Sequence, residues 1–529
     1  MSGKNSNFDL PVGCAHHQGL SRRRFLAGCA ACAGAAGLAG TPSWLNAASR
    51  LNPGASKLKI RVVYALHGPQ QEGPDWPNKG FDFVPVMDRI NAELARRRPE
   101  CEFIPTLATG EEQSQKIADG DKGGAVDGYL VYQMNCWNRV AQVLAKTDKP
   151  VLYADFQFGG SGGMLVYSAA FLRAKTRNLG FMASSNIADL AEAVKLFAAA
   201  KAGGPGFDFA AAVTRLRIER TPRPGRLAVA ADRVEALAPA ECLRRLKASR
   251  ILAVRGPETQ PSTEVLGIPV DYVPFAELNA AWAAADKAEA KAVADRWIGT
   301  AALVEGVGRA EIENSAAMYL AQKAVMKKRG ANAITINCLG GFYGGHIHAY
   351  PCLGFHELLN EGLVGGCECD VASAASLVTW TTLTQGRPGY ISDPVIDTAK
   401  RRIIYAHCVA SNKPFGPRGA ANPFQILTHS EDRQGASVRS LLPAGYMTTS
   451  IQLSQERREI LFHQAVSAGN DPDDRACRTK LVAEPVGDLE KLFTMWDIWG
   501  WHRVTAYGDL KEPVHALADA AGWKVIEEA

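Results

Sequence analysis

Histidine is scarce in this chain and unevenly placed: of eleven, His346, His348, His356, His407, His429, His463, His502 and His515 all fall in the last third. Imidazole is the side chain that titrates near neutrality and ligates metals through either ring nitrogen, so any chemistry is expected there. Three clusters stand out. In Gly344-Gly345-His346-Ile347-His348-Ala349-Tyr350-Pro351-Cys352, an extended backbone projects positions two apart to the same side. His346 and His348 can therefore enter one pocket, either as a metal-ligating pair or as a hydrogen-bonded loop pair. In Gly365-Gly366-Cys367-Glu368-Cys369-Asp370, two carboxylates follow an apolar approach and a helix expected from about Leu353 to Asn360. Burying carboxylates unpaired is costly, so these acids are either site residues or exposed loop acids. The third cluster runs from Trp499 through Gly500 and His502 to Asp509. Leu489, Leu492, Phe493, Trp496 and Trp499 keep helical spacing and read as core, Gly500 can end that helix, and His502 opens a short alternating strand that can aim it.

The elements that must position these groups are those of an α/β protein. From Leu58 apolar runs alternate with amphipathic ones: strands are expected at Ile60 to Leu66, Phe103 to Leu107, Gly128 to Tyr132 and Val151 to Phe156, with a helix from Phe83 to Arg97. Gly159-Gly160-Ser161-Gly162-Gly163 has neither a dinucleotide fingerprint nor a Walker spacing, and reads as a flexible loop, a hinge or a point of close approach. A shift at Ala202-Gly203-Gly204-Pro205 marks a boundary. A second α/β unit follows, with strands at Arg250 to Val254, Ile268 to Val273 and Ala333 to Asn337 and helices at Ala276 to Arg296 and Ala310 to Arg329. After Cys338 the texture changes to short β-prone runs rich in Gly and Pro. The organisation expected is residues 57–205 and 206–337 as two Rossmann/flavodoxin-like parallel α/β domains, then 338–529 as a β-rich C-terminal domain.

Composition narrows the partners. The net charge of +5, from 59 basic against 54 acidic residues among 529, is slight and has no long basic run, so nucleic acid is not an expected partner. Ser21-Arg22-Arg23-Arg24-Phe25-Leu26 ahead of the uncharged, Gly/Ala-rich stretch Leu26 to Gly40 is a twin-arginine export signal. Residues 1–50 are read as signal peptide and linker, cleaved between Gly40 and Arg50. The chain is then expected to fold in the cytoplasm, pass the Tat translocase folded, and work in the periplasm or outside the cell without a stable membrane anchor. Of twelve cysteines, Cys14, Cys29 and Cys32 lie in or before that signal, and an odd remainder is no disulfide framework. Cys367-x-Cys369 lacks the spacer of common zinc knuckles, so the thiols read as core residues.

The C-terminal third resembles the sugar isomerases of the L-fucose isomerase group. The pieces that carry the resemblance are Cys367-Glu368-Cys369-Asp370, Gly386-Arg387-Pro388, Ile404-Tyr405-Ala406-His407-Cys408, Thr428-His429-Ser430-Glu431, Gly445-Tyr446-Met447-Thr448 and His502-Arg503-Val504-Thr505-Ala506-Tyr507-Gly508-Asp509, in that order. The resemblance implies two α/β domains before a β-rich one, a divalent cation, commonly manganese, held by a Glu, an Asp and a His, and aldose–ketose interconversion through an enediol. It places the Asp at Asp370 and the His at His502, and it implies sites lying between subunits of a homo-oligomer. The implied first metal-binding Glu, also a catalytic base, stands some two dozen residues before the Asp, where this sequence has His346 and His348 and no acid. Three alternatives follow: a histidine completes the shell, Glu368 takes over proton transfer, or isomerisation is lost. Glu368 and Asp370 are the catalytic candidates, and Asp370, His502, His346 and His348 the metal candidates. His407, His429, Glu431 and Arg433 are candidates for holding the hydroxyls of a sugar or sugar derivative. A carbohydrate-binding protein without turnover, and lyase or epimerase chemistry at the same site, stay open beside the isomerase.

Overall fold

The structure, a computed structural model, describes residues 57–256 and 260–529; the expected export signal lies outside the described residues. Its first unit is a five-stranded parallel sheet of β1 (Leu58–Ala65), β2 (Cys101–Ala108), β3 (Gly128–Gln133), β4 (Val151–Asp155) and β5 (Leu179–Met182), in the order β2-β1-β3-β4-β5. β3, β4 and β5 are buried along their whole length, which is why they read as unbroken apolar runs. The helix Val84–Arg97 covers one face with Val86, Met87, Ile90 and Leu94, spaced three and four apart. Strand order reverses between β1 and β3, so the loops leaving these two strands diverge and open a crevice at the carboxyl edge.

The glycine run is not a free loop: the helix Ser161–Arg173 starts inside it. Close approach explains the composition. A Cβ on Gly160 would sit 2.0 Å from the Gln133 carbonyl oxygen, and one on Gly162 would sit 2.7 Å from the Trp501 ring.

The second unit winds the same way. β6 (Ile251–Val254), β7 (Thr263–Val265), β8 (Ile268–Val273), β10 (Ala333–Ile336) and β11 (Val364–Gly366) lie in the order β11-β10-β6-β8-β7, parallel except for the edge strand β7. β9 (Leu303–Val304) stands apart, paired with β14 (Phe424–Leu427) beside β15 (Ser437–Ser440). Two features depart from the sequence expectation. The helix expected over Ala276 to Arg296 is two helices, Phe275–Ala283 and Lys287–Thr300, because the Asp286 side chain accepts the Glu289 N–H at 2.8 Å and caps the second. And β11 lies beyond Ile336, so the chain after Cys338 first completes the second sheet before it enters the third.

The third sheet contains β12 (Gly389–Asp397), β13 (Arg402–His407), β16 (Met447–Ser454), β17 (Glu459–Asn470), β18 (Thr479–Pro485), β19 (Arg503–Tyr507) and β20 (Lys524–Glu527), in the order β16-β19-β12-β13-β18-β17-β20. β16 also pairs with β17, which closes six antiparallel strands into a barrel. Side chains from strands that are not neighbours meet inside it. Arg503 makes two 2.9 Å bonds to Glu528, whose carboxylate also bonds His463 at 2.7 Å, and Tyr405 bonds His463 at 2.6 Å. All nine cysteines among the described residues are buried and free, and no helix among the described residues is long and apolar enough to cross a membrane.

The Arg503–Glu528 pair is buried on both sides, so Glu528→Ala should cost about 3–5 kcal/mol in urea unfolding by stranding a buried guanidinium. Burial opposes the charge on Glu528, but Arg503 and His463 outweigh it and hold the carboxyl at about 2, below the ordinary 4.5. A depressed carboxylate stabilises most above its unfolded pKa, so the difference between the two proteins should be full above about pH 4.5 and shrink as pH falls toward 2.

Candidate active site

Register brings the chemistry together. β12 runs between β19 and β13, with Ser392 opposite Arg503 on one side and Asp393 opposite Ala406 on the other. Asp393 is thereby flanked by His502, just before β19, and by His407, at the end of β13. The fourth member arrives from the second sheet. Immediately after β11 the backbone turns through two left-handed non-glycine residues, Glu368 at φ 64° and Cys369 at φ 54°, pinned by the Cys369 N–H bonding the Ile336 carbonyl at 3.0 Å. Such conformations cost energy and persist where the surroundings impose them. This one aims Glu368 at the barrel mouth and frees Asp370 to cap the helix Val371–Leu383.

Glu368, Asp393, His407 and His502 each offer one ligand atom, and all four lie within 4.8 Å of one another. Their closest approaches are His502 Nε2 to Asp393 Oδ1 at 3.1 Å, His502 Nε2 to Glu368 Oε2 at 3.4 Å, and His407 Nε2 to Glu368 Oε1 at 3.6 Å and Asp393 Oδ2 at 3.8 Å. These are ion-pair distances without hydrogen-bond alignment: both ring nitrogens of His407 and Oδ1 of Asp393 are buried with no hydrogen-bond partner among the described residues. Orphaned donors and acceptors of this kind are what a cation converging on all four would satisfy.

The electrostatics agree with that picture. Burial opposes the charge on Glu368, but His502 and His407 outweigh it and hold the carboxyl well below the usual range. Burial pushes Asp393 up, against the pull of His502. Burial opposes the charge on His407 too, yet Glu368 and Asp393 raise it to about 9, and the same two carboxylates with Asp370 push His502 well above its ordinary value. Without a cation, protons on the imidazoles balance the carboxylates.

Asp370, expected as a ligand, stands one layer back. Its Oδ2 is 2.8 Å from His502 Nδ1, the ring nitrogen facing away from the cluster, and its oxygens also take the Ser373 N–H at 3.0 Å and hydroxyl at 2.7 Å. It fixes the ring so that Nε2 points inward. His346 and His348 do share a side, as alternation predicts, but it is the solvent side: His346 stacks on Phe275 at 5.6 Å and His348 lies 5.7 Å from Trp282, while the buried Ile347 between them points inward. They take no part in the cluster. His429 bonds Asp432 at 3.2 Å behind the pocket, and Arg433 turns to Asp474 at 2.7 Å. Glu431 does reach the cavity, where burial raises its carboxyl to about 8 and the Tyr343 hydroxyl donates to it at 2.9 Å.

Glu368, Asp393 and His502 of the cluster line a cavity of about 500 Å³, a size suited to a small ligand. Its roof comes from the switch point of the first sheet: Asp75 and Trp76 follow β1, and Cys136 and Trp137 follow β3. Asn135 ties these two loops, donating to Gln71 at 2.9 Å and the Trp76 carbonyl at 2.7 Å and accepting from the His67 N–H at 2.9 Å. Trp501, held by a 3.0 Å bond to the Pro394 carbonyl, packs edge-on against Trp76 at 4.9 Å and Trp137 at 6.1 Å.

Sugar isomerases are what the chain is similar to. It is 27% identical over 210 residues to the sulfoquinovose isomerase of Clostridium sp. (strain MSTE9), a match covering 38% of this chain and 45% of that protein. The sulfoquinovose isomerase of Alkalicoccus urumqiensis is 24% identical over 140 residues, 26% of this chain and 31% of that protein, and that of Priestia aryabhattai 28% identical over 121 residues, 22% and 26%. The chain thus spans less than half the length of these curated relatives. No family model matches it.

Asp393 was missed by sequence reasoning, although two signals pointed to it. It is a carboxylate in a strand otherwise reading Tyr-Ile-Ser before it and Pro-Val-Ile after it, and Glu368 precedes it by about two dozen residues, the separation sought in vain ahead of Asp370. Two measurements discriminate the layers. Asp393→Ala should abolish stoichiometric binding of a divalent cation, whereas Asp370→Asn should weaken it only about 10–100-fold; equal effects would put Asp370 in the shell. At pH 7, below the value of about 9 for His407, cation entry should also release at least one proton. Calorimetric enthalpies in buffers of different ionisation enthalpy should differ accordingly, and affinity should fall as pH falls.

Proposed function

We propose that the chain is a divalent-cation-dependent sugar isomerase that interconverts an aldose and a ketose. What carries this is the convergence of Glu368, Asp393, His407 and His502 at one side of an aromatic-roofed cavity; the similarity to proteins named sulfoquinovose isomerase supports it. Two carboxylate oxygens and two imidazole nitrogens suit a first-row divalent ion, and the resemblance to the fucose isomerase group favours manganese. Bound there, the ion would polarise the carbonyl and hydroxyl oxygens of the sugar, lowering the barrier to removing the intervening C–H proton.

The remaining work belongs to side chains. Glu368, exposed to the cavity on a rigid turn, is the group best placed to take the proton from one carbon and return it to the neighbouring one through an enediol. Asp393 lies deeper, between the two histidines, and assists from the opposite side of the cluster. Asp370 keeps the His502 ring in register. Glu431, lining the same cavity, offers its carboxyl to a hydroxyl of the sugar, and Trp76, Trp137 and Trp501 shield the reacting carbons from water. The twin-arginine motif fits this reading: a site of this composition, if folded outside the cytoplasm, would be taken by copper or zinc, so loading the cation before export protects its identity.

Incubating the manganese-loaded protein with aldoses in deuterated water, and following the label by NMR, is the direct test. Deuterium should enter at C2 of the aldose and C1 of the ketose, and Glu368→Gln, measured at manganese concentrations that saturate the variant, should slow exchange by about 10²–10⁴-fold. Sugar binding with no label incorporated at any carbon would overturn the proposal.

A further inference from the structure

Trp137 lines the catalytic cavity and is unusual in two ways. It is 50% exposed, although an indole in water forfeits a large apolar burial. Its backbone stands at φ 67°, in the left-handed region that a bulky side chain seldom enters. Strain of this kind persists where the surroundings impose it, and here both neighbours are fixed. The Cys136 thiol donates to the Gly159 carbonyl and accepts the Gly163 N–H, each at 3.4 Å. On the other side the Asn138 amide donates to the Asn135 carbonyl at 3.0 Å and accepts from the Gln133 amide at 3.1 Å. Tyr167 and Trp501 meet the indole at 6.2 and 6.1 Å with their rings inclined at 84° and 75°, so they brace it without stacking on it. The fold thus holds a large aromatic ring rigidly and leaves half of it uncovered.

The neighbourhood identifies what covers it. Exposure rises along the roof from Trp76, 3%, through the half-buried Trp501 to Trp137, which orders the three from the closed part of the cavity to its rim. Tyr343, at the end of the helix Cys338–Tyr343 and likewise exposed, lines the same cavity from the second unit. Polar groups fringe the rim. Asp75 lines it, and the half-exposed His67 stands 3.2 Å from that carboxylate through Nδ1 while Nε2 donates at 3.0 Å to the carbonyl of Cys136, the residue before Trp137. An apolar plate edged by hydrogen-bonding groups matches a pyranose ring, whose C–H faces are apolar and whose hydroxyls lie around its edge. That ring is not the reacting one, because the reacting carbons have to reach Glu368, Asp393 and His502 on the inner lining.

We propose that Trp137 is the platform of an outer subsite, on which the second sugar ring of a reducing disaccharide stacks while the open-chain aldose end reaches the cluster. This rests on the isomerase reading for the placement of the reducing end. Trp137 is then a specificity-determining residue: it selects for an aldose that carries a further sugar residue beyond the reacting carbons.

Sugar alcohols test this, since they keep the hydroxyls of an open-chain aldose and cannot be isomerised. D-Glucitol, maltitol, cellobiitol, lactitol and isomaltitol would be titrated by calorimetry into the full-length protein at saturating manganese. At least one disaccharide alcohol should bind about five- to tenfold more tightly than D-glucitol, and Trp137→Ala should remove that advantage. Trp137→Gly, which removes the ring and suits the left-handed backbone, gives the same reading should Trp137→Ala fail to fold. If no disaccharide alcohol binds more tightly than D-glucitol, or if the advantage survives loss of the ring, the outer subsite does not exist. Failure of the isomerase reading shows separately, as deuterated water leaving no label in the parent aldoses whatever the alcohols do.

Discussion

Two carboxylates and two imidazoles confined within 4.8 Å of one another, two of the four deeply buried, are the constraint around which the remaining structure is arranged. Such a cluster is expensive. Each carboxylate loses hydration, neither ring nitrogen of His407 has a hydrogen-bond partner among the described residues, and the balance is restored by protons on the histidines or by a cation. A site so costly is maintained by rigid elements that leave it no means of relaxing.

Three kinds of rigidity serve that end. Register in the barrel puts Asp393 between His407 and His502 on adjacent strands, and the buried Arg503–Glu528–His463 network ties β19 to β17 directly beneath. The left-handed turn at Glu368 and Cys369 delivers a carboxylate from the second sheet at an angle no regular strand allows. Asp370 spends its oxygens on the helix N-terminus and on His502 Nδ1, so the start of a helix and the orientation of a ligand are set by one side chain. The first sheet contributes no ligand. It roofs the site through the loops at its switch point, cross-linked by Asn135, and through glycines that let its helix approach Gln133 and Trp501 closely.

Much of this was legible in the sequence. Fully buried parallel strands announce themselves as apolar runs, and the helix Val84–Arg97 by its spacing, because both patterns are local. Glu368, His407 and His502 were legible as residue types in a restricted region. What the sequence hid was depth and pairing. Glu368 and Asp370 look equivalent two positions apart, and only the left-handed backbone between them sends one into the cavity and the other behind His502. His346 and His348 obey alternation, but alternation does not say which side is solvent. Asp393 was concealed because its partners come from strands β19 and β13, which lie far off in sequence and are brought alongside by barrel closure. The domain edge was hidden for a like reason, since β11 returns to the second sheet after an excursion no periodicity records.

Anomalous diffraction at the manganese absorption edge, from crystals of the protein loaded with Mn²⁺ as the sole divalent ion, bears most directly on the cluster. A single strong peak about 2 Å from carboxylate oxygens of Glu368 and Asp393 and from imidazole nitrogens of His407 and His502, with Asp370 outside the shell, is the result these geometries predict. A peak ligated by Asp370 in place of Asp393, one between His346 and His348, or none at the four residues at full loading, would contradict it.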